Sequence, residues 1–406
     1  MIMSLIYILR LIFESLKFVL HTKYKWMLIF FIVWLFRVDF IADTGGGGGK
    51  ALQIVCLFCM FLLLLKYNKL GIWLKMNVPI KSCVLLYSFG TLSALWAFLP
   101  SYAAFMAIQN IVLLLVLIWL FSNFHSFYST ERAFVILMVG CALFETIGLR
   151  LTWWHSLIVH HLASGSMSAI CISYCVGELL RARKSEKERK LMLKGAILIA
   201  AFILITSTSS GANASTVFGI AVALVISGNI AWASLLFVAF IILYFNQDLI
   251  QQIIFFIMPG KDLNTIETAT GRQEMWNAIW VLAALKPMLG YGYGCIERVI
   301  SDYLDWQIND AHNMYMGIYG SLGIIGCVIF YIMLGSSLIT SLVKRAEKGF
   351  CGVVAAFSCA MLNGYSFGYL SGKACSITIA FFALVCLTYY YPIAHRNDKR
   401  KFKLQN

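Results

Sequence analysis

Three short clusters within residues 270–326 bring together residue types that could do chemistry. The first is Thr270-Gly271-Arg272-Gln273-Glu274-Met275-Trp276. The second is Lys286-Pro287-Met288-Leu289-Gly290-Tyr291-Gly292-Tyr293-Gly294. The third is Asp310-Ala311-His312-Asn313-Met314-Tyr315, which runs into a segment marked by Gly317, Gly320, Gly323 and Gly326. Arg272 stands where a turn enters a helix expected over 271–285. A guanidinium keeps its charge at any working pH and forks onto two phosphate oxygens. A helix N-terminus adds N–H donors and the positive end of a dipole. Together they suit a diphosphate, against the plainer reading of an interfacial ion pair with Glu267 or Glu274. His312 opens a glycine-spaced helix. An imidazole, with an ordinary pKa of about 6.5, takes or gives a proton near neutrality. Asp310 or Asn313 could orient it; the plainer reading is a polar residue at a helix start. Gly290 and Gly292 would let backbone approach a bulky ligand, and Tyr291 and Tyr293 offer flat faces to a sugar. The alternative there is a flexible loop with interfacial tyrosines.

Other polar points are fewer. Arg37 and Asp39 lie toward one end of the first apolar segment, where an ionisable residue is a functional candidate unless it snorkels to the interface. Arg150, with His155, His160 and His161, forms a second polar loop. The histidine spacing fits no zinc-site pattern, and no metal or cofactor is expected. Arg298, in the same stretch as the three clusters, is a further candidate for substrate binding, as is Asn313. Ser207 to Asn213 reads as a tight turn with helix caps. Of the 12 Cys, 11 fall in apolar segments or at their edges, so a disulfide framework is not expected.

The elements that must position these residues are apolar helices. Of the 406 residues, 61% are hydrophobic and 12% charged, against about 25% charged in an ordinary soluble domain. One aqueous core cannot hide that much apolar surface, so lipid must be the solvent for much of the chain. A net charge of +14 could suggest nucleic acid, but the basic residues stand in short clusters between apolar segments, the pattern of a positive-inside bias. Twelve spans are expected: 26–42, 51–67, 83–99, 103–123, 133–149, 167–181, 195–211, 214–229, 231–246, 314–343, 350–371 and 374–392. With both termini cytoplasmic, 24 of the 32 Lys and Arg fall inside and 8 outside. Residues 1–25 read as a cytoplasmic interfacial amphipathic helix and 393–406 as a basic cytoplasmic tail. The nine spans of 26–246 are followed by a large outer loop, 247–313, with short helices expected at 247–258 and 271–285, and then by three spans in 314–392. The loop carries eight acids and four bases, and an ordered connection of that length is often functional.

In combination the clusters resemble the O-antigen ligase and polymerase superfamily of bacterial membrane glycosyltransferases. The resemblance is densest over 268–330: TGRQEMW, then PMLGYGYG, then AHNMYMGIYGSLGIIG. A weaker likeness extends to Leu92-Ser93-Ala94-Leu95-Trp96. The resemblance implies an all-α integral membrane fold of about twelve helices, GT-C-like, with a large periplasmic loop between helices 9 and 10. It implies a metal-independent transfer of a glycan from undecaprenyl diphosphate at the periplasmic face of the inner membrane. The acceptor is another lipid-linked repeat in a polymerase and the lipid A core in a ligase; a chain-length regulator is a candidate partner. It places an Arg on the diphosphate and a His at the transfer point, here Arg272 and His312. Relatives often carry a basic residue in the turn aligned with TSTSSGANAS, and this chain has none there; Arg150 or Arg37 is the expected substitute. The motifs look closer to polymerases than to ligases. A transporter or flippase is the reading from another class; it lacks matching halves.

Overall fold

In lipid every backbone N–H and C=O must find a partner within the protein, and a continuous helix does this segment by segment. The computed structural model describes residues 2–21, 24–37, 48–151, 161–207, 209–245, 272–305, 308 and 310–405. Among these the regular structure is helical. In chain order the helices are α1 (Ile2–His21), α2 (Lys25–Arg37), α3 (Gly48–Lys66), α4 (Val78–Leu92), α5 (Pro100–Ser122), α6 (Phe127–Leu151), α7 (His161–Arg181), α8 (Lys187–Ser207), α9 (Ser210–Ile226), α10 (Ile230–Phe245), α11 (Arg272–Leu285), α12 (Ile296–Leu304), α13 (Met314–Val343), α14 (Phe350–Asn363) and α15 (Ser376–Gln405). Seven stretches of the described residues are long and apolar enough to cross a membrane: Val78–Leu95, Pro100–Ser122, Phe127–Thr146, Leu162–Arg181, Lys187–Ser207, Met314–Val343 and Ser376–Asp398. Shorter apolar helices run over Lys25–Leu35, Ala51–Lys66, Ser210–Ile226 and Phe350–Asn363. The described residues thus have the regular structure of an all-helical, multi-pass membrane protein. The helix expected at 247–258 lies outside the described residues.

Helix α7 is the hub, packed against α6, α8, α9 and α14. Small residues let these backbones close up, as helix association in lipid requires. A Cβ on Gly177 would stand 2.9 Å from the Cα of Gly352, and one on Gly165 would meet Ser207 and Ser209. Helix α1 lies along α8, with Ser4, Ile8 and Leu11 buried, and Gly195 of α8 meets the backbone of Ser4.

At one end of the bundle the basic clusters come together. Arg181 donates to the carbonyls of Arg345 and Ile226, Lys348 pairs with Glu186, and His395 meets the carbonyl of Lys348. Arg189 is buried there. Its guanidinium donates to Glu131 at 2.6 Å and Glu178 at 2.5 Å, and Glu178 also accepts from the N–H groups of Gly349 and Gly352. The buried Arg189, Glu131 and Glu178 thus have opposite charges as partners, the condition for burying them at all.

Helix α13 runs from the opposite end of the bundle to this basic end, and it is broken. Gly323 has φ 63° and ψ −162°, a region essentially reserved for glycine. The break frees backbone groups that the Lys286–Gly292 loop takes up. Ile324 N–H donates to Pro287 C=O at 2.8 Å, Tyr291 N–H to Gly320 C=O at 3.1 Å, and Gly292 N–H to Ser321 C=O at 2.8 Å. Helix α14 ends at Asn363, eight residues before the end of the expected span 350–371. Residues 364–375 form an irregular connection at the same end as the start of α13.

Candidate functional site

The site is built at the junction of α11, α12, the turn before α13 and the 364–375 connection. Helices α11 and α12 share a small core of their own: Met275, Ile279, Leu282, Ile296, Ile300, Ile308 and Ala311. In α12 the apolar residues recur at Ile296, Val299 and Ile300, so one face turns inward and Arg298 is left at the edge. The helix stops at Asp305, whose φ of 53° is left-handed. This packing carries the chain back to Ala311 and the start of α13.

Arg272 is the first residue of α11, and its Nη1 donates to the carbonyl of Ser366 at 3.1 Å. That bond uses one of five N–H donors and orients the rest. Burial lowers the guanidinium's pKa, and Asp310 opposes the shift. One turn on, Trp276 Nε1 donates to the carbonyl of Ala311 at 3.1 Å. The tryptophan therefore ties the helix bearing Arg272 to the turn bearing His312. In that turn Asp310 Oδ1 accepts the N–H of His312 at 3.0 Å, and its Oδ2 lies 3.5 Å from His312 Nδ1. The backbone of His312 is left-handed, with φ 50°. Burial and the charge of Arg272 push the imidazole pKa down, while Asp310 pulls it up. Arg272, Asp310 and His312 thus act on one another electrostatically, and His312 is poised to be neutral near pH 7.

Other expected site residues are placed differently. Asn313 is 5% exposed and its Oδ1 accepts from the N–H groups of Tyr315 and Met316, so it caps α13. Tyr293 is fully buried: its hydroxyl bonds the carbonyls of Leu370 and Gly372, and its ring packs edge-on against Tyr87. Tyr291 is 8% exposed, with its hydroxyl on Leu282 C=O and the Lys286 ammonium 4.6 Å from its ring. Neither ring is open to a sugar. Gly290 and Gly292 take positive φ so that the loop can seat against Ser321 and Ala97, and the N–H of Gly292 is spent on α13. The glycine-tyrosine stretch, expected to contact a ligand, uses these groups within the protein. The break in α13 needed a backbone partner, and this loop supplies it. Arg298 lies over the ring of Tyr102 at 5.8 Å. The side chains of Arg37, Arg150 and His161, and residues Asp39, His155 and His160, lie outside the described residues.

Three participants were not foreseen. Ser366 and its connection were read as part of a helix, although Gly364, Ser366, Gly368, Ser371 and Gly372 within nine residues signal an irregular segment. Glu297 lies buried beneath the Asp310–His312 turn. Trp276 was noted only as part of a motif, although its i+4 spacing from Arg272 puts both on one helix face. The turn before α9 also reaches the site. Ser209 caps α9 by accepting from Ala212 N–H at 3.3 Å, and Gly211 abuts Ser366, the partner of Arg272. Among the described residues no group of three His, Cys, Asp or Glu forms a metal-binding cluster.

A comparison with curated proteins returns no match. A family model described as O-antigen ligase matches residues 195–331, a stretch that contains Arg272, Trp276, Glu297, Asp310, His312 and the break at Gly323. Over that stretch, about a third of its length, the chain is similar to the O-antigen ligase family.

Proposed function

We propose that this protein is a surface-polysaccharide polymerase. It passes a glycan from undecaprenyl diphosphate to the hydroxyl of another lipid-linked repeat at the periplasmic face of the inner membrane. The observation that carries this reading is the convergence of Arg272, Asp310 and His312 at the end of α13 opposite the basic clusters. Basic residues favour the cytoplasmic side, which supports an outward-facing site. It also supports cytoplasmic termini and twelve spans, the four shorter apolar helices and α10 crossing with the seven long ones.

The chemistry asks little of the protein. A diphosphate is a good leaving group, so the protein must neutralise its charge and align the acceptor. His312, neutral and oriented by Asp310, takes the proton from the acceptor hydroxyl as its oxygen bonds the anomeric carbon. The bond from that carbon to the diphosphate breaks, and the leaving oxygens gain negative charge beside Arg272. No metal enters this scheme, because the fixed guanidinium does the neutralising.

Similarity of TGRQEMW and LGYGYG to polymerase motifs supports the polymerase; the family description supports a ligase as the second reading. Purified protein supplied with undecaprenyl-diphosphate oligosaccharide distinguishes them. Release of undecaprenyl diphosphate with longer lipid-linked chains is expected, and glycan transferred only to lipid A core would establish the ligase. Neither product would overturn both. Arg272→Ala and His312→Ala are expected to lose transfer by about 100-fold or more, the scale of removing a charge-stabilising or proton-transfer group. Normal rates from either would remove that residue's role.

A further inference from the structure

Glu297 is the carboxylate of the site that the reaction above does not use. It is 8% exposed, and it stands under the turn that carries Asp310 and His312. The N–H groups of Ala311 and of Glu297 itself act on its carboxyl group. Its Oε1 would be 3.6 Å from a Cβ built on Gly372, so the carboxyl fills the space between α12, the Asp310–His312 turn and the 364–375 connection. The charged and titratable groups acting with it are Asp310 above, Arg298 on its own helix, Tyr102 from α5, and Tyr293 and Cys295 from the preceding loop. Among the described residues it forms no ion pair.

A carboxylate at Asp310 disfavours ionisation of Glu297. Glu297 is the more buried of the two, so its charged form is the one that burial disfavours. Burial and Asp310 push Glu297 up to about 8.

We propose that Glu297 is a positioning residue of the transfer site: a neutral carboxyl that holds the Ala311 backbone, and with it His312, without placing a second negative charge beside the donor's diphosphate. This rests on the transfer reaction proposed above. It makes the protonation state of Glu297 part of the working form of the enzyme. Below pH 8 the carboxyl is uncharged and the site presents Arg272 with one acidic neighbour. Above pH 8 it ionises, repels the diphosphate and disturbs the Asp310–His312 pair.

The test is the pH dependence of glycan transfer, from pH 6 to 9.5, for the intact protein in detergent or vesicles. The unaltered protein is expected to lose kcat/KM for the lipid-linked donor as pH rises through about 8. Glu297→Gln, uncharged at every pH, is expected to lack that alkaline loss. Glu297→Ala is expected to be at least tenfold slower at pH 7, and Glu297→Gln to recover most of that loss. A Glu297→Gln profile that superimposes on that of the unaltered protein overturns the inference while leaving the transfer reading intact. If the unaltered protein transfers nothing, the transfer reading fails and this one with it. Should Glu297→Ala fail to reach the membrane, the Glu297→Gln profile alone decides.

Discussion

Trp276→Phe tests how the two halves of the site are held together. The indole N–H donates to the carbonyl of Ala311 at 3.1 Å, and Ala311 is fully buried, so bulk water reaches that carbonyl poorly once the donor is gone. Leaving a buried acceptor unsatisfied costs about 1–3 kcal/mol. Trp276 itself is only partly buried, so the lower part of that range applies, about 1.4 kcal/mol. Phenylalanine keeps an aromatic ring in the small core of α11 and α12, so the cost falls mainly on the position of the Ala311–His312 turn. Expressed in the transition state, it is about tenfold in rate. The expected result is kcat down about tenfold, KM for the donor little changed, and a melting shift no larger than about 4 °C. The control is Trp280→Phe, one turn further along the same helix, where the ring lies 5.3 Å from Tyr319 and is largely exposed. Transfer rates in a lipid-linked oligosaccharide assay, with melting followed in parallel, decide the matter. A Trp276→Phe rate within twofold of the unaltered protein, or no lower than that of Trp280→Phe, refutes the tether.

Two further outcomes follow from the geometry. Gly323→Ala must put a left-handed backbone on a residue with a Cβ, at a cost of about 1–3 kcal/mol. That Cβ would also lie 2.6 Å from Leu289 N, forcing the Lys286–Gly292 loop off the break; a large melting loss in detergent is expected, and unchanged melting would refute the account of the break. The pH profile of Arg272→Gln reports on His312. Burial and Arg272 hold the imidazole below its ordinary value, so the neutral, proton-accepting form persists into acid and activity falls only below about pH 6.5. Removing the Arg272 charge raises the imidazole pKa, so the acid limb of the residual activity moves to higher pH; a limb that stays or moves down would separate the two residues.

The membrane character and the positions of the helices were legible because lipid imposes a one-dimensional rule: long apolar runs with no unsatisfied backbone. All twelve expected segments coincide with a helix over most of their length, and the helix expected at 271–285 is α11. Arg272 and His312 could be picked out because their side-chain chemistry is unusual beside so much apolar sequence. The tertiary structure decided what the surrounding residues do. Tyr291 and Gly292 carry the same types as a ligand-binding loop, but their N–H groups donate to carbonyls exposed by a break about 30 residues away, which no local pattern reports. Asn313 reads equally as a ligand contact or a helix cap until its Oδ1 is seen on two N–H groups. Glu297, Trp276 and Ser366 enter the site only because α11, α12 and the 364–375 connection pack onto one turn. Burial and the approach of distant charges set their roles, and both are properties of the folded chain.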